Sequence, residues 1–529
     1  MRIFDTYVQK LKYKVLTELA RQTWVGNDAF SVFNDIANQV VKKGEPTMSC
    51  CIYKDRAIVA ERIRIALGGK KEDHNVIQVI DIACDECPVA GHVVTDLCRG
   101  CVAHACVDAC KLGAITVDSH QKAEIDKSKC VECGKCAKSC PYSAIANFKR
   151  PCEKACKVDA ISMAPDGVAQ IDSEKCIECG ACVYKCPFGA TLDVSSITDI
   201  IKTIVDSDNN KNYHVHAIVA PAIAGQFQYA KAGQLISAIR ELGFYAVEEV
   251  ALGADIVAYK EAQELQEKGF LTSSCCPAFV KYIKMKFPQL AEHISHNLSP
   301  MAETGKLIKE QDPAAKIVFI GPCTAKKGEV RKPEVHQYVD YVMTFEELQA
   351  MIDSKDIAVD QLPETELDTA TYYGRVFART GGLSEAVTEA VREQKAAAEA
   401  AKADAPDGAG ASGAVASGEA GASGKPMSAN SEAGTNPGKP ASGDGACDGD
   451  SADSKPFVFD PIVCDGIDNC KTALLRASKG LLPNNFIEGM VCTDGCIGGA
   501  ACLSHGNADK RAIDNYGKKA SHKEIRDVL

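Results

Sequence analysis

Two stretches of this chain carry the same cysteine spacing, Cys130-x2-Cys133-x2-Cys136-x3-Cys140-Pro141 and Cys176-x2-Cys179-x2-Cys182-x3-Cys186-Pro187. In such a run three thiolates close around one iron-sulfur cube while the fourth reaches a second cube. Of 27 cysteines, 16 fall between Cys84 and Cys186, so the spacing governs this whole segment. A secreted disulfide scaffold would carry a targeting signal, and Met1-Arg-Ile-Phe-Asp-Thr-Tyr has no basic stretch leading into an apolar one. The thiols are therefore read as reduced, cytoplasmic metal ligands. Tetrahedral zinc also uses paired C-x2-C, but zinc sites do not usually repeat as C-x2-C-x2-C-x3-C-P, which favours iron-sulfur.

The runs resemble those of bacterial ferredoxins. Cys98-x2-Cys101-x4-Cys106-x3-Cys110 is a loosened copy upstream of the first, whereas only Cys152-x3-Cys156 precedes the second. Cys84-x2-Cys87 supplies the missing half, which gives a nested arrangement: one two-cluster module, residues 98–140, inserted into another built from 84–87 and 152–186. Ala-Ile follows at one offset after Cys110, Cys140 and Cys156, as in ferredoxin repeats. The ligand sets expected are Cys98, Cys101, Cys106 and Cys140; Cys130, Cys133, Cys136 and Cys110; Cys84, Cys87, Cys152 and Cys186; and Cys176, Cys179, Cys182 and Cys156. That makes four 4Fe-4S clusters.

At 529 residues the chain exceeds one core, and its formal charge of -11 argues against a nucleic-acid partner. No window approaches the roughly 18 apolar residues of a membrane span. Residues 1–80 read as helical from Phe4, Tyr7, Val8, Leu11, Val15, Leu16 and Leu19, with a second element at Ile58, Val59, Ile63, Ile65 and Leu67. Met48-Ser-Cys50-Cys51 reads as two packed small residues. Residues 81–192 hold the clusters. From about 196 to 392 the pattern is α/β: Val215–Pro221 is a buried strand, Ala232–Leu242 a helix, Ala246–Val250 a strand, and Lys316–Pro322 a strand running into Cys323. Residues 393–455, dominated by Ala, Gly, Ser, Pro, Asp and Lys, cannot bury enough surface to offset ordering and read as a disordered insertion containing an incidental Cys447. Order resumes at 456–515, and 516–529 is a tail.

Three further cysteine motifs lie in the α/β region. Leu271-Thr-Ser-Ser-Cys275-Cys276-Pro277-Ala-Phe279 places two thiols side by side, too close to bridge without strain, so one can ligate while the other acts. Gly321-Pro322-Cys323-Thr-Ala-Lys326-Lys327-Gly-Glu329 and Phe486-Ile-Glu488-Gly-Met490-Val-Cys492-Thr-Asp-Gly-Cys496-Ile-Gly498-Gly499 follow. Together they resemble the three signatures around the H-cluster of the FeFe (iron-only) hydrogenases. The resemblance implies a two-lobed α/β catalytic domain after an α+β ferredoxin-like region, and reversible H2 oxidation or proton reduction. It implies an H-cluster, a 4Fe-4S cube joined to a two-iron subsite with CO, cyanide and a dithiolate amine. Cys276, Cys323, Cys492 and Cys496 would hold the cube, with Cys496 bridging. Cys275 matches the proton-exchanging thiol, followed by Glu261, Ser295 and Glu264. An unperturbed thiol pKa of about 8.5 suits that exchange. Lys326 matches the lysine that donates to one cyanide, Pro221 and Ala222 the loop at the other, and Met490 an expected methionine. Glu329 resembles a helix-supporting position, and Gly381-Gly382-Leu-Ser-Glu385-Ala the glycine turn and helix after the second motif.

The implied partners are H2 and protons, a soluble ferredoxin, and maturation enzymes for the two-iron unit, in an anaerobic cytoplasm. The chain departs from the family where Gly321 replaces a common methionine, Phe279 a tryptophan and Asp494 a glycine, as in a divergent subgroup. Two other classes share these motifs: an H2-sensing regulatory relative with weak turnover, and a polyferredoxin carrier or iron-sulfur assembly factor. Cys275 and both glutamates favour catalysis over sensing, and Lys326 argues against the carrier and the assembly factor.

Overall fold

The computed structural model describes residues 4–27, 31–44, 47–49, 51–70, 73–84, 87, 90–403 and 457–529. Residues 1–393 and 459–529 form one compact unit, and 394–458 a second. Cys50, Cys447 and nearly all of the expected disordered insertion lie outside the described residues. The helix Gly382–Ala403 runs well past residue 393, because Ala, Glu, Lys and Gln dominate this stretch and all favour helix. The sequence reading, which set the insertion's start at 393, missed this.

The amino-terminal region is three helices, Tyr7–Trp24, Phe33–Val40 and Ile52–Ala66. The first opens with a capping box, Thr6 Oγ1 accepting from Gln9 N and Gln9 Oε1 from Thr6 N, both at 3.1 Å. Its apolar face, Leu11, Val15, Leu16 and Leu19, is buried, and it packs on the helices Ile197–Asp206 and Phe345–Ser354. Cys51 is exposed rather than packed, because it precedes the helix Ile52–Ala66 and lies off its buried face.

Eight short strands follow: β1 Ile77–Val79, β2 Gly91–Val94, β3 Ile115–Val117, β4 Ala123–Ile125, β5 Ile145–Phe148, β6 Ile161–Met163, β7 Ala169–Ile171 and β8 Thr191–Asp193. All pair antiparallel, β1 with β8, β2 with β5, β3 with β4 and β6 with β7. The pairs β2–β5, β3–β4 and β6–β7 thus all fall between β1 and β8 in sequence, with β3–β4 also inside β2–β5.

The carboxyl-terminal region holds two parallel sheets. One has the order β10-β9-β12-β13, from Ala246–Glu249, Val215–Val219, Lys316–Gly321 and Tyr341–Thr344. The other has the order β11-β15-β14, from Leu271–Thr272, Phe486–Met490 and Pro461–Asp465. β9 is buried along its whole length, as a strand covered on both faces must be. The final segment is docked rather than loose: Ile525 is fully buried, and the amides of Ile525 and Arg526 donate to Glu393 at 2.7 and 2.9 Å.

A buried ionic cluster ties the three regions together. Asp193, at the end of β8, accepts from Lys12 Nζ at 2.5 Å and from Lys327 Nζ at 2.7 Å. Lys12 also reaches Glu346 and Lys327 reaches Glu347, at 2.7 and 2.8 Å. Burial alone would raise the Asp193 carboxyl, but the two ammonium groups outweigh it and hold the group far below the carboxylate range. Its contribution is therefore complete above the ordinary carboxylate pKa and is lost as pH falls through the lowered one. Asp193→Asn, which leaves two buried cations short of a partner, is expected to destabilise the protein by about 3–5 kcal/mol in anaerobic denaturant unfolding near neutral pH, with the deficit shrinking under strong acid.

Candidate metal centre and proton path

The three cysteine motifs sit at the carboxyl ends of the parallel strands, where α/β sheets collect ligands. Cys276 follows β11 and caps the helix Pro277–Lys286; Cys323 follows β12; Cys492 and Cys496 follow β15. Pro221 and Ala222, just beyond β9, are buried. Burial pushes the Cys323 thiol up to about 11 and the Cys496 thiol up to about 12, and Cys492 well above its ordinary range, with the other sulfurs of the set adding to each. Cys276 acts on all three. Four such sulfurs can be thiolates together only around a cationic centre.

The backbone leaves room for that centre. Gly495 has φ of +78°, and a Cβ there would stand 2.8 Å from Thr380 N and 2.9 Å from Met490 Sδ. A Cβ on Gly499 would stand 2.4 Å from Pro322 O, so the second and third motifs meet backbone to backbone. Lys326 is buried with its Nζ 2.6 Å from Glu329 Oε2, and this single carboxylate partner leaves N–H donors of the ammonium unspent. Such an unsatisfied buried donor next to Cys323 and Cys275 fits a bound group carrying acceptors. The donor set, the glycine cradle and the part-satisfied lysine together suit a cube with an appended anionic unit.

Cys275 departs from expectation. Burial, with Glu261 and Cys276 beside it, pushes its thiol well above its ordinary range, so it rests as S–H rather than poised near neutrality. Glu261 is fully buried and its carboxyl is pushed up to about 8 by burial, offset in part by hydrogen bonds to Ser295 and Ser274. It too is neutral at pH 7. Ser295 Oγ donates to Glu264 Oε2 at 3.2 Å, and Glu264 Oε1 lies 2.7 Å from both Lys268 Nζ and exposed His296 Nδ1. Lys268 and His296 hold Glu264 below its usual value despite burial. The four residues therefore line up from the buried thiol to solvent, neutral inside and charged at the mouth.

The sixteen amino-terminal thiols group as follows. A cavity of about 790 Å³ is lined by Cys156, Cys176, Cys179, Cys182 and also Cys492. A second, of about 230 Å³, is lined by Cys110, Cys130, Cys133 and Cys136. Charge on Cys186, Cys84 and Cys87 bears on Cys152, and charge on Cys140 and Cys101 bears on Cys106; Cys98 packs in the same apolar cluster as Cys106. After the last cysteine of each sequence run a backbone amide turns back onto its sulfur: Ala114 to Cys110, Ala144 to Cys140, Ala160 to Cys156 and Ala190 to Cys186, at 3.2–3.4 Å. The last run is docked on the catalytic motifs. Thr324 Oγ1 donates to Glu178 O at 2.7 Å, and a Cβ on Gly180 would stand 2.7 Å from Ala500 Cβ.

Sequence reasoning assigned no role to Glu488 and Ser273. Glu488 is fully buried and accepts from the amides of Gly381 and Ser384, both at 2.8 Å, which caps the helix beginning at Gly382. Ser273 Oγ accepts from Gly489 N at 3.1 Å and links the first and third motifs. A carboxylate inside a buried strand was the available signal for Glu488.

The profile described as "Iron only hydrogenase large subunit, C-terminal domain" matches residues 213–500, and a 4Fe-4S dicluster domain matches 97–144 and 150–190. Iron hydrogenase 1 of Clostridium pasteurianum is 29% identical over 308 residues, 52% of each chain. The periplasmic Fe hydrogenase large subunit of Nitratidesulfovibrio vulgaris is 31% identical over 29% of this chain and 42% of its own. A cytosolic Fe-S cluster assembly factor of Kluyveromyces lactis, NAR1, is 37% identical over 18% of this chain and 20% of its own. This chain thus spans about half or less of the curated relatives' lengths. Among solved structures, a FeFe-hydrogenase HydA1 from Chlamydomonas reinhardtii overlays on 63% of this chain and 92% of its own at 19% identity, with a TM-score of 0.44.

Glu488 has a consequence for the metal loop, because Cys496 N donates to Ala378 O at 2.8 Å and Arg379 bridges to Gly495. Glu488→Ala, which orphans two amides at about 1–3 kcal/mol each, is expected to speed hydrogen exchange at 378–384 and 492–498 and to lower the melting temperature.

Proposed function

We propose, from the premise that this chain belongs to the iron-only hydrogenase large-subunit family, that it interconverts H2 with protons and electrons. The observation that carries the reading is the grouping of Cys276, Cys323, Cys492 and Cys496 beside a second thiol, Cys275, that heads a chain of proton-bearing groups to solvent. Those four cysteines, Cys496 among them, would hold an H-cluster cube, and Lys326, Pro221, Ala222 and Met490 would line the space for its two-iron unit. When bound, that cofactor supplies H–H bond cleavage and electron uptake.

The protein's own residues handle the proton. Cys275 holds it at Sγ, in a site dry enough to keep the thiol neutral. Glu261, neutral near pH 7, can take a proton on one oxygen as it gives one up from the other. The Ser295 hydroxyl passes it on by rotating between Glu261 and Glu264. Glu264, charged and next to His296, exchanges with bulk water. Lys326 and the amide-rich loops contribute fixed positive potential where charge gathers.

The four thiol sets of the amino-terminal region belong to the same reading as 4Fe-4S sites in two nested modules, supported by the pairing of β1 with β8 outside and β2 with β5 inside. A soluble ferredoxin is the proposed electron partner and the cytoplasm the proposed compartment; among the described residues no helix is long and apolar enough to cross a membrane. Residues 81–192 as cluster region and 196–392 with 456–515 as catalytic domain complete the proposed organisation. A second reading, an assembly factor without turnover, draws on the likeness to the Kluyveromyces lactis protein.

Protein co-produced with the maturation enzymes is expected to evolve H2 from reduced methyl viologen and to show infrared bands of iron-bound CO and cyanide. Iron without those bands would sink the hydrogenase reading and favour the assembly factor. Cys275→Ala, Glu261→Gln and Ser295→Ala are each expected to keep the bands while lowering turnover, Cys275→Ala by about 100-fold or more. Undiminished turnover in Cys275→Ala would eliminate this proton route.

A further inference from the structure

At the amino-terminal end of the four-stranded sheet, opposite the cysteine motifs, His216 lies in β9 and His214 just before it, two residues apart. Asp312, which ends the helix Pro300–Gln311, comes alongside, because Lys316 N donates to His214 O at 2.8 Å and fixes the intervening turn. One donor atom from each of the three lies within 4.8 Å of the others. We propose that His214, His216 and Asp312 bind one divalent transition-metal ion of the zinc class, with Glu248 orienting His216.

Two buried atoms speak for a ligand here. His216 is 8% exposed, and its Nδ1 lies 2.8 Å from Glu248 Oε1. With that carboxylate accepting the Nδ1 proton, Nε2 is left as a bare lone pair, and Nε2 is buried with no hydrogen-bond partner among the described residues. A carboxylate behind an imidazole whose far nitrogen is free is the arrangement that metal-binding histidines use. Glu248 Oε2 is likewise buried and unpartnered.

The remaining contacts suit the same ion. His214 Nδ1 lies 2.7 Å from Asp312 Oδ2, and this hydrogen bond holds the Asp312 carboxyl below its ordinary range. The ion displaces the proton shared by those two atoms, which leaves to solvent. Tyr245 stacks on the His214 ring at 3.8 Å between centroids and limits its swing. Tetrahedral donors bound at about 2.0–2.1 Å stand roughly 3.3 Å apart, so the side chains move inward by about 1 Å. Two imidazoles and a carboxylate select a zinc-like ion over calcium or magnesium, which prefer all-oxygen sites. The side chains of His214 and Asp312 are 40% and 28% exposed, which gives the ion a way in.

Full-length, cluster-loaded protein kept anaerobic and titrated with Zn2+ against a chromophoric chelator is expected to bind one Zn2+ that His214→Gln and Asp312→Asn do not. Glu248→Gln is expected to bind it about 10- to 100-fold more weakly. Iron content and cluster absorbance unchanged across the variants show that each has folded. Equal Zn2+ stoichiometry and affinity in wild type and His214→Gln would overturn the site, as would a wild type that takes up no Zn2+.

Discussion

Negative sulfur in a dry interior is the constraint on which the arrangement turns. Cys323, Cys492 and Cys496 are raised by burial and by one another, with Cys276 adding to each. Their loops come from two different parallel sheets, so without a cation between them their convergence would be repulsive as thiolates and pointless as thiols. The glycines at the meeting point answer the same constraint. Any side chain on Gly495 or Gly499 would collide with Thr380, Met490 or Pro322 and force the loops apart.

The same logic runs through the amino-terminal region at smaller scale. Each short strand that follows a cysteine set begins where an alanine amide has just been spent on the last sulfur, as at Ala114, Ala144, Ala160 and Ala190. The last set is then set against the catalytic loops by Thr324, Glu178 and Gly180. The ionic cluster of Lys12, Asp193 and Lys327 fixes that docking from behind, since Asp193 closes the outer pair of strands and Lys327 follows Cys323 by only four residues.

Local chemistry was legible in the sequence where it depends on spacing. The cysteine runs that a 4Fe-4S dicluster domain matches at 97–144 and 150–190 show as fixed offsets, and the strand into Cys323 shows as an apolar run. What spacing cannot convey is burial. Cys275 carries an ordinary thiol pKa in the sequence and a strongly raised one in its pocket, and Glu261 changes in the same sense. Partners distant in the chain were equally hidden: nothing near Glu488 advertises Gly381 and Ser384, and Lys12 gives no sign of Asp193. The extension of the helix to Ala403 was missed for a different reason, because low apolar content was read as disorder where alanine and glutamate favour helix.

Burial of the proton path sets its own terms. On the proposed path, a thiol and a carboxyl raised by burial hold their protons without placing charge beside the four cysteines, where thiolates would repel one another. Charge reappears only at Glu264, where Lys268 and His296 can stabilise it. The gradient from neutral interior to charged mouth follows from solvent access along one helix, since Glu261 and Glu264 are one turn apart on Val250–Lys268 and differ mainly in depth. The packing of that helix thus accounts for the difference between the two carboxyls, while Cys275 and Ser295 come to them from the loops after Leu271–Thr272 and Pro288–His293.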